Sequence, residues 1–270
     1  MRIVVSNFFF AWHTPDDCFQ RARDELGIDG VEISFHPSFE RMHCTRDDIE
    51  ALAAINDKYG LALSAHLWDD LPQLGPDKGA EALLGWLGAA RQTGVREMVI
   101  HGGTYHDRRE GIERACGALE KAMGAFEREG VILHVENHYP YDYRDCHEIF
   151  SEPWEFLELF GRIDSPSLRF CFDTGHAYMQ RNSEAMLREL GRWLNYVHLA
   201  DNHGVDDDHV GYKVGGVPFD ADLAAFEQLG YDATFCMEFP VRDDMKPFRR
   251  CMRDLEQYHK QLQASSSVGG

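Results

Sequence analysis

The sequence predicts a single α/β domain of the (β/α)8, or TIM, barrel class over residues 1–262, and three observations carry that prediction. Eight short β-branched or apolar runs are spread evenly along the chain, and a segment of helical period follows each of them. No Gly-x-Gly-x-x-Gly or Walker sequence marks a two-halved nucleotide fold, because Gly102-Gly103 is too short to cradle a pyrophosphate.

The strands are expected at Arg2–Ser6, Gly30–Ser34, Leu61–Ala65, Glu97–Ile100, Val131–Val135, Leu168–Phe172, Tyr196–Leu199 and Ala233–Met237. Their C-terminal ends recur about every 33 residues, the length of one βα unit. Thr14-Pro15-Asp16-Asp17 and Thr45-Arg46-Asp47-Asp48 read as helix starts, a capping hydroxyl followed by acids that complement the helix dipole. Gly27, Gly60, Gly94 and Gly130 stand where helices should stop before the next strand. Residues 263–270, Ser- and Gly-rich, read as a flexible C-terminal tail.

Composition narrows the function. The 270 residues carry 27 Lys and Arg against 46 Asp and Glu, a formal net charge of −19, which opposes a nucleic-acid partner. Seven scattered cysteines without a Cys-x-x-Cys pair argue against a disulfide framework or a thiolate zinc site. The apolar run Ile3 to Trp12 is broken by Ser6 and Asn7 and lacks a basic flank, so it reads as a strand and not a signal peptide. With no apolar stretch long enough to span a bilayer, no membrane partner and a cytoplasmic location are expected.

In a barrel of this class the chemistry sits at the C-terminal strand ends. Strand three runs into His66, strand four into His101, strand five into Glu136-Asn137, and strand six into Asp173-Thr174-Gly175-His176. Strand seven contributes His198 and Asp201, its loop adds Asp207-Asp208-His209, and strand eight ends at Glu238. Any one of these could be a satisfied core histidine or a turn cap, but gathering so many ionisable groups at one mouth is costly without a cation. Imidazole and carboxylate donors suit a divalent metal such as Mn²⁺, Zn²⁺, Co²⁺ or Mg²⁺.

These segments, together with Gly215-Gly216-Val217-Pro218-Phe219 and Met237-Glu238-Phe239, resemble the xylose isomerase-like TIM barrels over nearly the whole chain. That superfamily holds sugar isomerases and epimerases and the endonuclease IV type of abasic-site nuclease. For the epimerase branch the resemblance implies a metal held by Glu136, Asp173, His198 and Glu238, with both glutamates also acting on substrate. For the nuclease branch it implies three zinc ions on nine ligands, for which the chain offers His66, His101, Glu136, Asp173, His176, His198, Asp207, His209 and Glu238.

The resulting expectation is a metal-dependent isomerase or epimerase of a small sugar or sugar phosphate. Glu136 and Glu238 would move the proton next to the carbonyl through an enediolate. The alternatives are a zinc-dependent phosphodiester hydrolase of the endonuclease IV type, a dehydratase or lyase on a polyhydroxy substrate, and a binding protein without catalysis. Trp12, His13, Trp68, Arg144 and Lys213 are candidate substrate contacts on the catalytic-side loops, although their loop cations also fit plain surface ion pairs. Phe8 to Phe10 would line the barrel mouth or form a homo-oligomer contact.

Overall fold

The computed structural model describes residues 1–7, 14–36, 48–139, 142–143, 145–241 and 244–268. In chain order its strands are β1 (Arg2–Ser6), β2 (Gly30–Phe35), β3 (Ala62–Leu67), β4 (Glu97–His101), β5 (Thr104–Tyr105), β6 (Ile132–Glu136), β7 (Asp142–Tyr143), β8 (Cys146–Glu148), β9 (Leu168–Asp173), β10 (Leu194–Leu199) and β11 (Thr234–Met237). The helices are α1 (Pro15–Arg21), α2 (Ile49–Tyr59), α3 (Leu71–Thr93), α4 (Arg108–Glu129), α5 (Pro153–Arg162), α6 (Thr174–Gln180), α7 (Ser183–Leu190), α8 (Phe219–Leu229) and α9 (Lys246–Val268).

Eight parallel strands close a barrel in the order β1, β11, β10, β9, β6, β4, β3, β2, and β1 seals it against β11 with Val4 opposite Cys236. All eight match the expected runs to within two residues at either end. Every strand is parallel because a helix-bearing crossover carries the chain back to the starting end each time. The caps also agree with expectation. Thr14 accepts from the Asp17 amide at the head of α1, and α2, α3 and α4 end on the left-handed Gly60, Gly94 and Gly130. Helix α2 differs: its N-cap is Asp48, without a side-chain capping bond, in place of the expected Thr45, and Thr45 to Asp47 lie outside the described residues.

Side chains alternate across each strand, so the barrel wall has two apolar faces. Residues such as Val5, Val31, Ile33, Leu63 and Met98 join the helices in one large core. Val4, Val99, Cys171, Tyr196 and Cys236 form a separate small cluster. The same inward positions, two residues further along several strands, are polar: Ser6, His66, His101, Glu136, Asp173, His198 and Glu238 follow 4, 64, 99, 134, 171, 196 and 236. Strand period thus converts a lumen plug into a polar mouth.

Two features depart from the composition-based reading. Strands β5, β8 and β7 pair into a small antiparallel sheet from the loops after β4 and β6, an element too short to show as a periodic run. Helix α9 continues through residues 263–268, past the expected end of the barrel unit at 262. Ser residues weaken a helix only slightly, and the apolar stripe that ends in Phe248, Leu255 and Leu262 already holds it on the barrel.

Asp222, in the first turn of α8, is buried with one carboxylate oxygen unpartnered, and burial pushes its pKa up to about 7. A folded-state pKa above the unfolded value means that the folded chain holds the proton longer, so this group costs stability as pH rises from about 4 to 7. The full penalty above pH 7 is on the order of 4 kcal/mol at most, less what the helix N-terminus returns to the anion. Asp222→Asn is therefore expected to gain stability over the wild type progressively between pH 4 and 8. Urea unfolding at both ends of that range checks it, and an equal difference at both would contradict it.

Candidate active site

Four of the candidate residues stand side by side on the barrel wall: Glu136 ends β6, Asp173 ends β9, His198 lies in β10, and Glu238 follows β11. Glu136 is at the centre, fully buried. Its Oε2 is 3.2 Å from His66 Nε2, 3.4 Å from His101 Nε2 and 3.2 Å from His198 Nδ1, and its Oε1 is 3.2 Å from His176 Nδ1. Glu238 Oε2 approaches the same His198 Nδ1 at 3.5 Å.

Local structure holds these groups in place. Asp173 caps α6 by accepting from the His176 amide at 2.6 Å, which puts the imidazole at the mouth. Asn137 clamps Asp173 through both backbone groups, at 2.8 and 3.1 Å, and its own carbonyl accepts from His176 Nδ1 at 2.9 Å. After β10, the buried Asp201 accepts from the amides of Val214, Gly215 and Val217 and shapes the return of the loop, so its role there is structural. A Cβ on Gly215 would meet the Asn202 carbonyl oxygen at 2.3 Å, which is why only glycine fits this turn. The same loop brings in Asp207, whose Oδ2 bridges His176 Nε2 at 3.2 Å and His209 Nε2 at 3.1 Å.

His66, His101, His176, Asp207, His209 and Glu238 line a cavity of about 480 Å³ together with Ser6, Ser34, Trp68, Thr104, His138, Tyr139, Glu148 and Asp208, whereas Glu136, Asp173 and His198 are fully buried and outside its lining. Trp68 reaches it as expected, its Nε1 donating to Ser34 Oγ at 2.6 Å and its ring lying against His66 and His101. Lys213 does not: its ammonium is 2.6 Å from Asp220 and 2.7 Å from Asp254, beside α8 and α9, where two carboxylates satisfy it. Arg108 is likewise taken up by Glu155. Trp12, His13 and Arg144 lie outside the described residues.

Three participants escaped the sequence reading. His138 and Glu148 line the cavity, the latter on β8 accepting from the Gly103 amide at 3.1 Å, and Glu32 lies within β2. A charged residue inside the apolar run Val31-Glu32-Ile33 was the available signal, since strand interiors seldom bury an acid without use for it.

Burial and charge split the carboxyl groups. Burial works against the Glu136 carboxylate, but His198, His101 and His176 outweigh it and hold its pKa well below the usual range. Burial pushes Glu238 up to about 8, with the charges of Glu136 and Glu32 adding to the effect against His198. Burial also raises Asp173 and Glu148, the latter to about 7, whereas burial opposes the His209 cation and Asp207 overcomes it, raising it to about 9. The environment thus favours the charged form of Glu136 and the neutral form of Glu238 about a shared histidine nitrogen.

A divalent cation fits this donor set. Glu136 Oε1, Asp173 Oδ2, His198 Nδ1, His66 Nδ1 and Asp207 Oδ1 are buried without an aligned hydrogen-bond partner in the protein. Oxygens that only accept, crowded with imidazole nitrogens, are the groups that a cation would satisfy. His66, His101 and Glu136 form one compact trio, His66, His198 and Glu238 a second, and His176, Asp207 and His209 a third.

The sequence profile of the family described as Xylose isomerase-like TIM barrel matches residues 19–264. The uncharacterized protein MJ1311 of Methanocaldococcus jannaschii is 34% identical over 98 residues, and the match spans 35% of this chain and 33% of that protein. Among solved structures, a D-tagatose 3-epimerase-like protein superposes with a TM-score of 0.79 at 21% identity, over 98% of this chain and all of the other. An L-ribulose 3-epimerase superposes with a TM-score of 0.76 at 16% identity, over all of this chain and 98% of the other. At such identities these likenesses establish a common fold. Among the described residues, no helix is long and apolar enough to cross a membrane.

Proposed function

Because the chain belongs to the xylose isomerase-like TIM-barrel family, we propose that it is a divalent-metal-dependent isomerase or epimerase of a small sugar or sugar phosphate. Glu136 and Glu238 form the acid/base pair and, with Asp173 and His198, the ligand set. The observation that carries this reading is the convergence of two buried carboxyl groups, from strands three apart in the barrel, on His198 Nδ1 at 3.2 and 3.5 Å, beside a cavity that Glu238 lines. The epimerase names of the structural neighbours point the same way.

A bound cation would supply polarisation of a substrate carbonyl and its neighbouring hydroxyl. One of the two glutamates takes the proton from the carbon next to the carbonyl, and the other returns one to the opposite face, which inverts the centre through an enediolate. In the reverse direction the roles exchange. Trp68 and Tyr139 offer apolar ring surface against the C–H face of a sugar and keep water from the intermediate.

The test combines elemental analysis of protein purified without chelator with proton exchange of a ketose panel in D₂O, followed by NMR. About one metal per chain with deuterium incorporated next to the carbonyl is the expected result. One observation favours a second reading, a zinc-dependent phosphodiester hydrolase of the endonuclease IV type: the nine candidate ligands are linked by successive contacts through Glu136, His176, His198 and Asp207. Two or three zinc ions per chain, no exchange and cleavage of abasic-site DNA would replace the first reading by the second.

A further inference from the structure

His198 has two ring nitrogens in contact with carboxylates on opposite sides, and only one of those sides faces the candidate ligands. Its Nδ1 looks toward Glu136 and Glu238, while its Nε2 is 3.1 Å from Oε2 of Glu32. Glu32 belongs to β2, three strands from β10 in the barrel order, so the contact crosses the lumen between residues 166 apart in sequence. Both side chains are fully buried, and among the described residues no lysine or arginine pairs with Glu32.

We propose that Glu32 is a positioning residue that sets which nitrogen of His198 is offered to the metal, an inference that rests on the metal-dependent reading above. An ionised carboxylate only accepts hydrogen bonds, so the Nε2 facing it carries a proton. That leaves Nδ1 as the nitrogen from which a metal can displace a proton, aimed where Glu136 and Glu238 converge and without an aligned partner in the protein. The opposite tautomer would set a nitrogen lone pair against the Glu32 carboxylate at 3.1 Å and spend the Nδ1 proton on Glu136. Carboxylate, imidazole and metal then stand in series, with the outer acid also fixing the plane of the ring.

The environment of the pair supports this assignment. Tyr196, Cys171 and Cys236 pack around it as neutral groups, since burial keeps the phenol and both thiols protonated. The Tyr196 hydroxyl, 2.7 Å from Ser64 Oγ, also hydrogen-bonds Glu32 and with His198 favours its charged form. His66 stacks on His198 with ring centroids 5.7 Å apart, so rotation of the His198 ring is blocked on that side.

The experiment measures metal affinity and ring protonation apart from turnover. Zn²⁺ and Mn²⁺ dissociation constants are obtained by chelator competition for the wild type, Glu32→Gln and Glu32→Ala, and His198 is observed by NMR in ¹⁵N-histidine-labelled wild-type protein before and after Zn²⁺ loading. The expected result is roughly 10- to 100-fold weaker metal binding in Glu32→Ala. A smaller loss is expected in Glu32→Gln, whose amide oxygen still accepts. In the wild type Nε2 should be protonated throughout and Nδ1 metallated in the loaded state. A bare Nε2 in the wild type overturns the proposal even if neither variant folds. Unchanged dissociation constants in variants that fold also overturn it and leave the metal-dependent reading intact, whereas a wild type that binds no metal overturns both.

Discussion

Glu136→Gln is expected to abolish turnover, and Glu238→Gln to do the same, in each case by at least about 10³-fold in kcat with the fold retained. The amide keeps the shape of the side chain but can neither take a proton from carbon nor return one, and positioned acid/base catalysis alone is worth roughly 10²–10⁴. At Glu136 the loss goes further, because one carboxylate there faces nitrogens of His66, His101, His176 and His198 at 3.2 to 3.4 Å. Removing its charge leaves those imidazoles without their common partner, so metal affinity should fall as well. At Glu238 the main loss is chemical, since His198 keeps both Glu136 and Glu32. Asp173→Asn should chiefly weaken metal binding, because Asp173 Oδ2 is unpartnered while Oδ1 remains committed to capping α6. Steady-state kinetics with circular dichroism as the folding control check the set, and normal turnover in either glutamine variant would sink the mechanism.

Removing the metal is expected to abolish activity and lower the thermal midpoint together. A cation held at a free concentration 100-fold above its dissociation constant stabilises the folded chain by about 2.7 kcal/mol, which in a domain of this size corresponds to a fall of about 5–10 °C on chelation. The site itself explains the sign. Glu136, Asp173, Asp207 and Glu238 gather four carboxyl groups about the imidazoles of His176, His198 and His209, with Glu32 behind His198. Without a cation, their mutual repulsion and unpartnered oxygens remain in the folded state and are relieved on unfolding. Scanning calorimetry before and after dialysis against chelator, with Mn²⁺ and Zn²⁺ added back separately, measures both quantities. A midpoint and a rate that ignore the chelator would remove the cation from the account.

The barrel was legible because its signals are local. Eight apolar runs at regular spacing, with glycines where helices end, are each decided within a few residues by strand or helix period, and the strand closure that follows is the way such units bury both faces of a parallel sheet. The grouping of strand-end side chains was legible for the same reason: residues that end parallel strands must share a rim, so His66, His101, Glu136, Asp173, His198 and Glu238 could be placed together from position alone. The two-residue strands β5 and β7 and the three-residue β8 carry no period to detect, and Glu148 arrives at the cavity through them.

What the sequence determined by itself, then, is the βα repeat, its closure and the kinds of side chain at the mouth. Only the tertiary structure decided which of those side chains meet and which atoms they present. It gave Lys213 to Asp220 and Asp254 rather than to the cavity, made Asp201 a loop anchor, and brought Glu32 across the lumen to His198. Periodicity is a property of neighbours along the chain, whereas a hydrogen bond between residues 166 apart depends on barrel order, register and ring orientation, which no local pattern carries.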